Sequence, residues 1–229
     1  MKYLLPIIFL FLTACSSPSK SQSPFEAWQE AAQSNIRLLP KYGGVAKSPE
    51  QKAADDDLIK EYLGIFKTHR AASEGLIKLG FDYYYQNNIQ VAMYRFNQAW
   101  LLDPGNENVF WGYGAVYSVL GARQQALNMY NEGLAMNPKN SQLLTDKATV
   151  YLAEYQDKTV KKDLETAIRL FKSSYDIDPK NQNTLYKLSV CYFTQNNCAE
   201  AKRYYDECKL LGGKPITKGY ADEIAKRCK

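Results

Sequence analysis

Any chemistry in this chain would have to come from one histidine, a run of three aspartates or five cysteines. His69 has no second histidine to work with, and no Cys-x-x-Cys or His-Glu-x-x-His spacing is present, so a metal centre is not expected. A glycine-rich phosphate loop and a Gly-x-Ser-x-Gly nucleophile motif are also missing. The sequence therefore predicts no catalysis, no cofactor and no metal. His69 reads as a surface or capping residue at a helix end. Asp55-Asp56-Asp57 reads as an acidic first turn that favours the helix dipole. Cysteine chemistry is concentrated in the last fifth of the chain, at Cys191, Cys198, Cys208 and Cys228, with Cys15 alone near the start. In an exported protein such thiols can form lasting disulfides.

The elements that must position these groups are repeats. Leu76, Leu79, Gly80, Tyr83, Ala92, Phe96 and Pro104 recur 34 residues on as Phe110, Tyr113, Gly114, Tyr117, Ala126, Tyr130 and Pro138. A third copy opens with Leu144, Ala148 and Tyr151, but its Ala167, Phe171 and Pro179 arrive seven residues late, which places an insertion within 151–167. The fourth copy, Leu185, Leu188, Ser189, Tyr192, Ala201 and Tyr205, has Gly213 where its closing proline is expected, as a terminal copy would. Apolar residues three or four apart mark one face of a first helix, and the small residue beside them admits a second helix closely. Asp-Pro or Asn-Pro then stops that second helix. Each copy is thus a helical hairpin with one apolar side uncovered, stable only when stacked on its neighbours. Period and residues resemble the tetratricopeptide repeat (TPR) over about 140 of the 229 residues. The resemblance implies an all-α, right-handed solenoid of about four repeats, at 73–106, 107–140, 141–181 with the insertion, and 182–215.

The first fourteen residues carry Lys2 and an apolar run from Tyr3 to Leu12. That run is too short to span a bilayer as a stable helix and has the layout of a secretory signal. Leu12-Thr13-Ala14-Cys15 resembles the lipobox of bacterial lipoproteins, in which cleavage precedes the cysteine and the cysteine is acylated. The resemblance makes 1–14 a signal peptide and Cys15 the lipidated first residue. By the same family's sorting habits, Ser16 in place of aspartate directs the protein to the outer membrane of a Gram-negative bacterium, facing the periplasm. Residues 15–24 read as a flexible tether. Between 25 and 72 two extra helices are expected. One runs from Phe25 to Leu39, broken by Pro40 and Gly43-Gly44, and the other from Pro49 to His69 with Ser48 as N-cap. They either cap the first copy or fold back over its surface. At 216–229, Thr217 starts a final helix, about Lys218 to Cys228, whose polar face suits a solvating cap.

Helix geometry narrows the cysteine pairing. Cys198 and Cys208 lie about 15 Å apart on one helix at about 1.5 Å per residue, beyond the roughly 7 Å reach of a bridge. The capping helix runs antiparallel to the helix that Cys198 starts and returns Cys228 beside it. The expected disulfide is therefore Cys198–Cys228, worth about 2–4 kcal/mol through loop closure. Cys191 and Cys208 hold small packing positions and are expected as buried thiols, with a second bridge as the alternative. Losing Lys2 from 29 basic side chains leaves 28 against 24 acidic ones, a diffuse balance that does not suggest nucleic acid. Lys158, Lys161 and Lys162 cluster in the third-repeat insertion and read as a solvated loop.

The TPR resemblance places a partner groove on the first helix of each hairpin. Its positions here are Glu74, Ile77, Phe81 and Tyr84, then Asn108, Trp111, Ala115 and Ser118, then Gln142, Thr145, Thr149 and Leu152, then Asn183, Tyr186, Val190 and Phe193. This wall is aromatic and apolar at its ends and polar in the middle. It lacks the combination of lysines and asparagines with which some members hold a terminal carboxylate, having no lysine at these positions, so an extended or helical segment with apolar anchors fits better. The chain's own Phe25 to His69 region is the other candidate to fill it, since exposed aromatic surface needs cover. The expectation is a non-enzymatic scaffold or adaptor for unidentified envelope or periplasmic proteins, membrane-bound through its lipid. In layout it resembles the TPR lipoproteins that act as pilotins for type IV pilus secretins or as outer-membrane assembly helpers. The alternative is a regulatory or recruiting subunit of a cell-envelope enzyme such as a cell-wall hydrolase.

Overall fold

Local caps and turns divide the chain into helices at regular intervals. The computed structural model describes residues 22–228; the expected signal peptide, Cys15 and the tether before Gln22 lie outside them. Among the described residues the regular structure is entirely helical: α1 Pro24–Ser34, α2 Pro49–Ile65, then four hairpins and a final helix. The hairpins are α3 His69–Tyr85 with α4 Ile89–Leu102, α5 Glu107–Val119 with α6 Arg123–Met136, α7 Ser141–Lys158 with α8 Lys161–Ile177, and α9 Gln182–Thr194 with α10 Cys198–Leu210. Helix α11 is Lys218–Arg227. Asn88, Asn106, Asn140, Asn181 and Asn197 cap α4, α5, α7, α9 and α10, each side-chain oxygen accepting an otherwise orphaned amide of the first turn. One left-handed residue reverses the chain inside each hairpin: Asn87, Gly121, Thr159 and Asn196. Helices α4, α6 and α8 stop one residue before Asp103, Asn137 and Asp178, each followed by proline.

The core runs through the stack, with Phe96, Tyr130, Phe171 and Tyr204 buried on the second helices. In the fourth copy it is Tyr204 that is buried, while Tyr205 stays half-exposed against the short α11. The seven extra residues of the third copy form helix. Helix α7 has 18 residues and α8 has 17, against 13 and 14 for α5 and α6. The expected solvated loop is thus reduced to Thr159 and Val160, with Lys158 closing α7 and Lys161 and Lys162 opening α8. At the far end, α11 packs Ile224 and Tyr220 on α9 and α10. Cys228 is bonded to Cys198, their Cα atoms 5.1 Å apart. Cys191 and Cys208 are free and buried.

The N-terminal region departs from its expected boundaries. Helix α1 ends at Ser34, not Leu39, because Asn35 leaves helical geometry, caps a 3₁₀ turn at Ile36–Leu38 and donates from Nδ2 to Tyr94 Oη (2.8 Å). Helix α2 ends at Ile65, and His69 opens α3. Asp55-Asp56-Asp57 falls in the interior of α2, where Asp55 pairs with Lys47; the first-turn acid is Glu50. Between the helices, Lys41, Tyr42, Gly43 and Gly44 all take left-handed φ values, which costs the two side-chain-bearing residues about 1–2 kcal/mol each. Asn97 on α4 offsets that cost. Its Nδ2 donates to the carbonyls of Arg37 (2.8 Å) and Leu39 (3.0 Å), and its Oδ1 accepts from Tyr42 N (3.4 Å) and Tyr113 Oη (2.8 Å). Tyr113 Oη in turn accepts from Lys41 N (3.1 Å). The strap of 24–44 therefore lies on α4 and α6 and the adjoining side of α5, with Lys41 reaching Glu132 at 2.7 Å and Phe25 edge-on to Tyr117. Helix α2 covers the open end of the first hairpin through Leu58, Ile59 and Tyr62.

Replacing Asn97 with leucine leaves several buried polar groups unpaired at once, so the expected loss is about 3 kcal/mol of unfolding free energy. Urea denaturation reads that loss. Amide exchange should accelerate across the strap at 35–44 while α9 and α10 keep their protection.

Candidate partner-binding groove

The first helices α3, α5 and α7 stand side by side and bring one aromatic ladder to a common face. Phe81 and Trp111 have ring centroids 4.0 Å apart, and Tyr84 and Tyr85 continue the cluster from α3. Trp111 donates its indole N–H to Asp146 Oδ2 at 2.7 Å, so the ladder ends on a carboxylate of α7. A cleft of about 300 Å³ opens beside it, walled by Tyr84, Ala115, Ser118, Arg123, Tyr130, Asp146, Thr149, Val150 and Ala153. On the other side of Trp111 lies a polar recess of about 360 Å³ that includes Glu74, Ile77, Asn108, Asn140 and Gln142. There Glu74 Oε1 accepts from Asn106 (2.8 Å) and Asn108 (3.0 Å), and Asn108 accepts from Asn140 (2.7 Å). No residue before Glu74 lines either space. The Phe25 to His69 region, the other candidate to fill the groove, is instead packed on the second helices and the end of the first hairpin.

The expected groove residues divide into two groups. Ile77, Phe81, Tyr84, Trp111 and Ala115 come together along α3 and α5, with Ile77, Phe81 and Ala115 largely buried in the wall. Tyr186 and Phe193 do not join them. Both pack edge-on against Tyr220 of α11, at 5.4 and 5.6 Å, because the capping helix covers this side of the last hairpin. Val190 packs with the core between α7 and α9. On α7 the exposed stripe is shifted by about one residue from the expected one. Thr145 is 4% exposed, its hydroxyl shared with Ser174 (2.8 Å) and Thr184 (2.6 Å), and Leu152 is core. Of the expected positions Thr149 does line the cleft, and Asp146, Val150 and Ala153 join it in place of Thr145 and Leu152. The residue most consequential for the site, Asp146, is thus absent from the sequence-derived stripe. Its signal is an acidic side chain one position from a stripe of otherwise uncharged residues.

Burial holds the Asp146 carboxyl above the usual aspartate range, while the Trp111 N–H and the charge of Lys187 pull it back down. Burial, and next the Asp146 charge, raise the Tyr84 and Tyr85 phenols. Arg123 at the rim is committed to Glu154 (3.4 Å) and Asp157 (2.6 Å). Elsewhere, chemistry is sparse. Nδ1 of the exposed His69 donates to the Leu102 carbonyl (2.8 Å). Burial pushes the Cys191 thiol up to about 12 and raises that of Cys208, which disfavours the reactive thiolates. Among the described residues no cluster of His, Cys, Asp or Glu could hold a metal ion.

A tetratricopeptide repeat family model matches residues 161–209, from α8 into α10. Among solved structures the chain is similar to Pseudomonas aeruginosa PilF, at 19% identity and a TM-score of 0.58 over 69% of this chain and 68% of that one. It is also similar to TTC0263, a thermophilic TPR protein of Thermus thermophilus, at 18% identity and a TM-score of 0.56 over 68% of this chain and 79% of that one. No curated protein matches the chain in sequence. Hairpin geometry, family match and structural likeness agree on an all-α TPR solenoid, a fold that serves protein–protein interaction.

A carboxyl raised by burial makes the folded state hold its proton to higher pH than the unfolded chain does. The stability this gives is complete below the ordinary aspartate value of 3.8 and is lost as pH rises through the raised one. Asp146→Asn keeps an acceptor for the Trp111 indole. It is expected to raise Tm at pH 7, with the gain vanishing at pH 3.5 in a differential scanning calorimetry series.

Proposed function

We propose that this TPR protein is a lipid-anchored scaffold on the periplasmic side of the outer membrane that holds or helps assemble other envelope proteins. The observation that carries the scaffold reading is the open cleft walled by Tyr84, Tyr130 and Asp146, next to the packed Phe81–Trp111 pair. The chain's own N-terminal strap leaves it free by packing on the opposite helices. An apolar and aromatic concavity with a few polar groups on a rigid wall is the usual form of a peptide-accepting site. The envelope and membrane part of the reading rests on Leu12-Thr13-Ala14-Cys15 and Ser16. No described helix is long and apolar enough to cross a membrane. Dual or triple acylation of one cysteine would hold the protein stably, where a single chain would not.

A photocrosslinking residue at Tyr85, which is 75% exposed on the groove side, is expected to capture a defined protein partner in native membranes, while one at Lys226 on α11 does not. Ala153→Trp, which fills the cleft from its half-exposed wall, should lower the yield at least about tenfold with helix content unchanged. Equal capture from both positions, or none from either, removes the groove as the docking site.

The anchor has an independent test. Cys15→Ala is expected to abolish labelling with a palmitate analogue and shift the protein from the membrane to the soluble fraction, and retention of both would refute lipidation.

A further inference from the structure

The chemistry of the cleft narrows what enters it. Asp146 uses Oδ2 for the Trp111 indole. Among the described residues no lysine or arginine nitrogen lies within ion-pairing distance of the carboxylate. The cation at the rim, Arg123, is held by Glu154 and Asp157, and Lys187 on α9 acts on Asp146 only at longer range. Beside the carboxylate stand the rings of Tyr84 and Tyr130, with Trp111 behind it and Tyr85 exposed near the entrance. A cleft flanked by two tyrosine rings, with one carboxylate left without an ion pair, complements a cation with an apolar stem. It repels an acidic or terminal carboxylate group.

We infer that the cleft receives a lysine or arginine side chain of the docking segment, its stem against Tyr84 and Tyr85 and its charge on Asp146. This rests on the reading of the groove as the partner site and adds to it the chemical class of the residue recognised. Arginine and lysine share this chemistry, arginine adding a planar face for stacking on the rings. Holding the indole does not itself require a charge, because a neutral amide oxygen accepts an N–H equally well in geometry.

The test uses the full chain and a set of otherwise identical extended peptide amides, leucine-flanked, whose central residue is lysine, arginine, norleucine or glutamate. Binding is followed by the Trp111 indole N–H resonance in NMR titrations. Lysine and arginine peptides are expected to bind at least about tenfold more tightly than the norleucine peptide, with glutamate weakest. In Asp146→Asn that margin should vanish. Should that variant not fold, the native protein decides: raising salt to half-molar should weaken the basic peptides and leave the norleucine peptide unaffected. Equal affinity for all four peptides overturns the inference and leaves the groove reading intact. Absence of any shift of the Trp111 resonance at millimolar peptide also overturns it, and the crosslinking from Tyr85 then judges the groove separately.

Discussion

Everything in the stack depends on how closely α4 and α6 approach the first helices, and that approach is set by rings lying where a side chain is missing. Phe96 of α4 is fully buried between Gly80 of α3 and Gly112 of α5, and a Cβ at either glycine would come within 2.4 Å of its ring. Gly114 is closer still, with its missing Cβ 2.1 Å from the ring of Tyr130 on α6. Each glycine weakens its helix by about 1 kcal/mol relative to alanine. Full burial of a phenylalanine or tyrosine returns about 1.5–3 kcal/mol from the hydrophobic effect alone. The balance favours close packing, but only if hairpin follows hairpin, since Phe96 needs the glycines of two successive copies. The same closeness positions the groove. Trp111 precedes Gly112 in α5, and drawing α5 onto Phe96 also brings the Trp111 indole to 4.0 Å from the Phe81 ring.

The two ends of the solenoid are closed by different means. At the start, a strap with no regular helix between Asn35 and Ser48 other than short 3₁₀ turns is held by polar bonds converging on Asn97 and Tyr113. The counterparts of Asn97 in the other hairpins, Asn131, Lys172 and Asp206, are exposed, whereas Asn97 is buried and with Tyr113 satisfies backbone groups of a strained turn. Fully satisfied, such a buried network fixes one conformation; partly satisfied, it would be worse than an apolar contact. At the other end, Ile224, Tyr220 and the Cys198–Cys228 bond secure a helix of only ten residues. A short amphipathic lid with little apolar area gains from covalent closure because its packing alone is small. Tyr220 also takes up the Tyr186 and Phe193 rings, so closing the end removes the last hairpin from the groove.

What the sequence made legible was the part of the fold governed by local, repeated chemistry. Leu76, Gly80, Ala92 and Phe96 and their counterparts report a hairpin because each residue answers a contact made within its own copy or with the next. Asp-Pro and Asn-Pro mark helix ends because proline acts on the residue beside it. The illegible parts depended on contacts distant in sequence. Residues 151–167 look like an insertion in register, yet with one left-handed residue at Thr159 the extra length simply prolongs both helices. Lys41 and Tyr42 carry no signal for left-handed backbone, which exists only because Asn97, some 55 residues on, binds it. Thr145 suits a groove stripe by position, but Ser174 and Thr184 draw its hydroxyl inward and rotate the usable face of α7 towards Asp146.

That rotation places an ionised group where folding gains least from it. A carboxylate among Tyr84, Tyr130 and Trp111 loses hydration and is repaid by one hydrogen bond from an indole, a bond that a neutral oxygen could also make. Asn97, Asn106 and the Thr145–Ser174–Thr184 hydroxyls are by contrast neutral and engaged with protein partners, while the buried Nε of Arg95 on α4 has none. Asp146 combines a charge, an oxygen with no hydrogen-bond partner among the described residues, and a neighbouring cleft. Folding leaves one oxygen of Asp146 unused, so a cation carried by a docking segment would meet a charge that is already desolvated and already set in the wall of the cleft.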